Sequence, residues 1–236
     1  MSAAASDAAA SSTSDAATPP TARTKVRRLP ERGRYEKETI DGILDEGFVC
    51  HLGLNDNGTV RVVPTNYGRI GDELFLHGAV GNAALKAAIG SEICVTVTLV
   101  DGLVLARSGF HHSVNYRSVT IYGTATEVAE PTEKRRVLDA IVEHIVPGRT
   151  ADARGANDSE LRATRVISLP LAESSAKVRT GGPKDDDVDM DIPIWVGQIP
   201  LRTVTDPPIP STDILDGIKT PEYVSDYTRP AGTRDL

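Results

Sequence analysis

The chain is poor in the features that several protein classes require. Of its 236 residues only two are cysteine, aromatic residues make up 4% with a single tryptophan, and the formal net charge is −7. Cys50 and Cys94 each sit inside an apolar, β-like segment. That placement suits reduced thiols in a cytoplasmic protein better than a disulfide scaffold, with a Cys50–Cys94 redox pair as the alternative. The acidic balance and the shortage of rings argue against a nucleic-acid partner, and Arg23–Arg28 reads as a solvated basic entry strand. There is no apolar run of about 18 residues, so no membrane partner is expected. The first residues lack the cationic start and apolar centre of a secretory signal. Gly-x-Ser-x-Gly, His-Glu-x-x-His and Gly-x-x-x-x-Gly-Lys are all missing, which removes the usual support for hydrolase, zincin and nucleotide triphosphatase chemistry. Asp185, Asp186, Asp187, Asp189 and Asp191 lack the spacing of a calcium loop and read as a solvated acidic loop.

What is present divides the chain into three. Residues 1–22 are small and polar after Met1 and read as a disordered tail, 23–205 as one domain, and 206–236 as an extended or disordered C-terminal tail. Within the domain, helical spacing of Ile40, Ile43 and Leu44 predicts a helix over 35–46 with Gly47 as its stop. Phe48–Leu54 and Thr59–Tyr67 read as a hairpin around Asn55-Asp56-Asn57-Gly58. Pro64 marks an edge or bulge in the second strand. Glu73–His77 is a strand, and 81–89 a short helix with Asn82 as N-cap, whose free N–H groups favour an anion near Ala79 to Ala83. Two strands, Ile93–Val100 and Leu103–Phe110, are expected to turn at Asp101-Gly102, followed by Tyr116–Val128. Pro131 opens an amphipathic helix through Ile145. Arg162–Leu171 and Ile192–Val204, with Trp195 inside, complete the strands. Meandering strands with few helices predict a mainly β, antiparallel barrel.

The densest chemistry lies in Phe110-His111-His112-Ser113-Val114-Asn115-Tyr116-Arg117-Ser118-Val119, with a third imidazole in Leu76-His77-Gly78. Neighbouring residues on a strand face opposite ways, so His111 and His112 are not assigned a shared metal. His51 and His144 read as structural. With Arg23–Pro30, Arg61-Val62-Val63-Pro64-Thr65, Ser175–Gly181 and Trp195-Val196-Gly197, these segments resemble, in order and spacing, the pyridoxamine 5'-phosphate oxidase-related FMN-binding split-barrel family, in its nitroimidazole-resistance and flavin-nucleotide-binding branch.

The resemblance implies a homodimeric split barrel with FMN at the subunit interface. It assigns Arg61, Val62, Val63, Pro64 and Thr65 to the flavin ring and ribityl chain, and His77, Gly78 and Ala79 to the ribityl chain. Gly81, Asn82 and Ala83 fall to the phosphate, and Tyr116, Arg117 and Ser118 to the flavin. Trp195 would approach from the partner. Ala83 stands where relatives carry a basic residue, with Lys86 one turn later as its substitute; failing that, weak FMN binding or a haem is the alternative. The implied activity is reduction of a small-molecule acceptor through flavin, with NADH or NADPH as donor and His77, His111 or His112 giving the proton. A non-catalytic flavin or haem carrier is the alternative. Pyridoxamine phosphate itself is not expected as substrate, because Pro200-Leu201-Arg202-Thr203 replaces the family's C-terminal motif.

Overall fold

The structure, a computed structural model, describes residues 17–229. Residues 1–16 of the expected N-terminal tail therefore lie outside the described residues. The elements are β1 (Gly33–Arg34), α1 (Lys37–Glu46), β2 (Val49–Asp56), β3 (Thr59–Ile70), β4 (Glu73–Ala79), α2 (Ala83–Ala88), β5 (Glu92–Leu105), β6 (Ser113–Thr124), β7 (Thr126–Glu127), α3 (Pro131–Ile145), α4 (Arg149–Asp152), α5 (Asp158–Ala163), β8 (Thr164–Pro170), β9 (Glu173–Arg179), β10 (Gly197–Pro200) and α6 (Glu222–Ser225). Every named strand pairing is antiparallel, in the order β1-β9-β6-β5-β2-β3-β4-β8-β7, with β10 added to β5. No helix of the described residues is long and apolar enough to cross a membrane.

Alternation builds the core. Cys50, Leu52 and Leu54 of β2, Val95 and Val97 of β5, and Val119 and Ile121 of β6 all point inward and are buried together with Leu74, Leu76, Ile167 and Leu169. The β2–β3 hairpin turns as its sequence demands: Asn57 and Gly58 take positive φ, and the Asn55 side chain accepts from the Gly58 N–H at 2.7 Å. On the far side, Val137 and Ile141 of α3 pack on Phe75 and Val166. Gly68 permits this approach, because a Cβ there would lie 2.8 Å from Ile141 Cγ1.

Two expectations for strands are corrected. Asp101-Gly102 is no turn: β5 runs unbroken from Glu92 to Leu105, and the register against β6 shifts there as a bulge. The bulge lets Asp101 reach Arg117, while a Cβ on Gly102 would crowd the Ile199 carbonyl oxygen at 3.0 Å. Of the strand expected over 192–204 only Gly197–Pro200 forms, and Trp195 lies outside it, exposed.

The C-terminus of α1 gathers distant elements. The last carbonyls of a helix have no partner within it. Here the buried Tyr67 hydroxyl of β3, kept protonated by desolvation, donates to the Leu44 carbonyl at 2.6 Å. His144 of α3 packs its ring against Tyr67 at a 42° tilt and donates from Nε2 to the Gly47 carbonyl at 2.7 Å. Arg229 donates to the carbonyls of Asp45, Glu46 and Gly47 and to that of His144, and its guanidinium lies 4.8 Å from the Phe48 ring centre. Gly47 is extended rather than left-handed; it is glycine because a Cβ would lie 2.6 Å from Val97 Cγ1.

If this junction holds the fold, Tyr67→Phe, which leaves the buried Leu44 carbonyl without a donor, should lower the unfolding free energy by about 1–3 kcal/mol in urea titrations. An unchanged midpoint would contradict that role.

Candidate functional site

The barrel opens between β3 and β4. Their ladder runs only from Ile70↔Glu73 to Tyr67↔Leu76; beyond it β3 stays with β2, while His77–Ala79 pair with β8. One lip of the split is thus Arg61–Thr65 and the other His77, Gly78 and Ala79, continuing into Gly81 and α2. The two segments assigned to a flavin by sequence diverge from one point in the fold. Helix α2 packs under the second lip through Ala84, Leu85 and Ala88, and Gly78 allows it, since a Cβ there would lie 2.9 Å from Leu85.

The side chains along these lips differ in use. Val63 packs on the core, whereas Val62 and Pro64 face out; Arg61 bonds Asp56 at 3.0 Å. Ala83 and Lys86 lie on the exposed side of α2. Asn82 caps that helix as expected, accepting from the Ala84 and Leu85 N–H groups at 3.0 and 3.2 Å, so those two donors are already committed and not open to an anion. His77 is half-buried, its Nδ1 is enclosed without a hydrogen-bond partner, and desolvation pulls its pKa down, favouring the neutral ring.

The outer face of the sheet continues the site. Register places Ser118 beside Thr98 and Tyr116 beside Val100, all facing away from the core. Arg117, between them, faces inward. Its guanidinium, expected on a flavin, is instead buried and held by Asp101 at 2.8 and 2.9 Å and by Glu46 at 2.5 and 3.0 Å; these bonds, Asp101's first, raise its pKa further. A cavity of about 630 Å³ lies against this face, within the usual range for small-molecule sites. Phe48, Val49, Thr98 and Leu99 line it from the barrel, and Arg202 and Arg229 close it from the C-terminal segment.

His111 and His112 are not on a strand. They sit in a turn, where His111 Nε2 meets Asp186 at 3.1 Å and His112 Nδ1 meets the Ser108 carbonyl at 2.9 Å, and neither lines the cavity. Asp185 is not solvated: its carboxylate accepts from the Arg107 N–H at 2.7 Å and from its guanidinium at 3.0 Å. This ties the acidic loop to the histidine turn. Cys50 is buried inside, its pKa pushed up to about 12 by desolvation, while Cys94 lies on the outer face, and both are free; the redox-pair alternative is overturned. Among the described residues no three His, Cys, Asp or Glu side chains gather as metal ligands would.

The family model described as pyridoxamine 5'-phosphate oxidase matches residues 36–178, the span that builds the split barrel. The chain belongs to the pyridoxamine 5'-phosphate oxidase family. The flavocytochrome Anf3 of Azotobacter vinelandii is 38% identical, with a TM-score of 0.84, over 89% of this chain and 98% of its own. A FAD and haem binding protein of Mycobacterium smegmatis is 35% identical, with a TM-score of 0.81, over 86% of this chain and all of its own. A Bacteroides thetaiotaomicron protein named for 5-nitroimidazole antibiotic resistance is 27% identical, with a TM-score of 0.51, over 62% of this chain and 86% of its own. No curated protein matches. The family and the mainly β split-barrel fold stand as the sequence indicated.

Sequence reasoning missed Arg202, which it read only as part of the strand expected over 192–204, and Arg229, which falls among prolines and polar residues without periodicity. It also set His144 aside correctly as structural. Desolvation lowers the pKa of both His77 and His144 from 6.5, so the unfolded chain binds protons first and stability should fall as pH drops below about 6.5. In urea titrations at pH 7.5 and 5, His77→Gln should lessen that acid loss; an identical loss would show that His77 does not contribute to it.

Proposed function

We propose that this chain is a cytoplasmic, flavin- and haem-binding oxidoreductase that works as a homodimer and reduces a small acceptor such as a nitro compound or quinone, with NADH or NADPH as donor. The observation that carries this reading is the near end-to-end similarity to two proteins named for flavin and haem, on a fold whose split holds both sequence segments assigned to flavin. FMN was expected from the family resemblance; the FAD named for the Mycobacterium protein makes the dinucleotide the second form to be tested.

The residues fit both groups. Flavin would lie along the split, with the backbone of Arg61–Thr65 on its ring edge, the Ser118 hydroxyl turning to it from its long 3.4 Å bond to the Lys177 carbonyl, and Lys86 as the cation nearest the missing basic position at Ala83. A histidine can ligate haem iron through one free ring nitrogen. Of the five histidines, His51 and His77 have no hydrogen-bond partner among the described residues, while His111, His112 and His144 each commit one ring nitrogen, a bond that leaves the other nitrogen for a metal. A second copy would cover the apolar side chains left open on the outer sheet face, Val60, Val62 and Val100, and along the C-terminal segment, Ile209 and Leu215. When bound, the flavin supplies hydride acceptance and the haem one-electron transfer. The protein orients them, excludes water and provides the proton.

His77 suits the proton role by position, at the lip of the split. Because burial keeps it neutral, its protonated fraction grows as pH falls, so turnover that depends on it should rise from pH 8 toward 6. Anaerobic mixing with NADH or NADPH should bleach the flavin band, and a nitro or quinone acceptor should restore it. His77→Ala should slow that restoration severalfold while flavin stays bound. Equal turnover in this variant would remove His77 from the chemistry, and bleaching that no acceptor reverses would mark a carrier.

A further inference from the structure

The C-terminal segment beyond β10 carries a projection that the barrel does not use. Its stem is closed where the Thr205 hydroxyl donates to the Tyr227 carbonyl at 3.0 Å, and its return is fixed where the Tyr223 hydroxyl donates to Asp152 of α4 at 2.7 Å. Between these pins two tight turns follow each other, Ser211–Ile214 and Leu215–Ile218, each closed by a backbone hydrogen bond of 3.3 Å, with Gly217 at a φ of 80°. Ile209, Ile214, Leu215 and Ile218 all stand exposed along it, Ile209 by 94% and Leu215 by 77%. Four large apolar side chains held out on a pinned loop form a contact surface that this chain alone leaves open. The family span ends at residue 178, so the shared barrel does not account for it.

Charge decides what the projection can meet. Asp206, Asp213, Asp216 and Glu222 outnumber Lys219, and among these acids only the Asp213 carboxylate bonds another residue, the Ser211 hydroxyl. An acidic, apolar tip is repelled by an anionic bilayer and by nucleic acid. The chain itself carries the complement. In the segment that enters β1, Lys25, Arg27 and Arg28 are exposed, and their side chains bond no group among the described residues. Between them Val26 is fixed by its N–H, which donates to the Tyr35 hydroxyl at 2.9 Å. Leu29 follows with a φ of 57°, uncommon for a leucine, and a side chain 38% exposed. The entry segment thus presents cations and an apolar residue, where the projection presents acids and apolar residues.

Resting on the reading of the chain as a homodimer, we propose that the loop from Asp206 to Pro221 is an arm that grips the second copy. It lays Asp213 and Asp216 against Lys25, Arg27 and Arg28 of that copy, and its apolar side chains beside Leu29. In a two-fold dimer the contact occurs twice, arm on entry segment in both directions. The arm also continues the apolar surface already given to the second copy. Val100 and Leu103 of β5, Ile199 of β10, which pairs with Leu103, and Val204 are all exposed on the way to Ile209.

The test measures self-association of the full chain by sedimentation. Asp213→Lys with Asp216→Lys sets cation against cation across the dimer, and Arg27→Glu with Arg28→Glu sets acid against acid. Each variant alone should dimerise about tenfold more weakly than the wild type, or worse. Mixed in equal amounts, the two should recover near wild-type affinity, because every arm then meets an entry segment of opposite charge on the other chain. Leu215→Asp should weaken the dimer severalfold. Arm and entry variants that dimerise as the wild type does, or a mixture that stays as weak as its components, overturn the assignment. A wild-type chain that stays monomeric would instead remove the homodimer on which the assignment rests.

Discussion

The bond from the Tyr67 hydroxyl to the Leu44 carbonyl is where the architecture is pinned. A helix ending inside a protein leaves carbonyls that must find donors, and at the end of α1 they are supplied by β3, α3 and the segment near residue 229. Tyr67 is also the last residue of β3 that pairs with β4 before the two strands part. One buried phenol therefore fixes the helix end and marks the point at which the barrel opens.

Much of the site follows from that junction. Because β3 is held at Tyr67, its earlier half must follow β2, and Arg61–Thr65 become one lip of the split; because β4 goes on with β8, His77–Ala79 become the other. The residues after Gly47 wall the cavity, and Arg229, anchored on the same carbonyls, closes it. Glu46 carries the junction into the barrel through Arg117 and Asp101, which explains why a guanidinium on a ligand-facing strand is turned inward. Two buried charges so close would repel without the cation between them.

Local signals were legible and long-range ones were not. Asn57-Gly58 needed positive φ, Asn82 had its cap geometry, and Pro131 opened a helix whose apolar face read directly from its period. The family was legible because several weak segments fell in the right order. Asp101-Gly102 misled because a bulge and a turn share the same residue types, and only the pairing of Asp101 with Arg117 distinguishes them. His111 and His112 were treated as strand neighbours because they lie between the strands expected over 103–110 and 116–128; the bonds to Ser108 and Asp186 that hold them in a turn come from a neighbouring carbonyl and a loop 75 residues away. Arg229 was invisible because its acceptors are backbone carbonyls, which leave no trace in side-chain pattern.

The central claim is that the split and the cavity beside it form a site for redox cofactors. The visible spectrum of the purified full chain, before and after incubation with FMN, FAD and haemin, tests this most directly. The account expects flavin absorption in the blue together with a Soret band, each saturating at one group per chain. A chain that stays colourless and takes up neither group would contradict it.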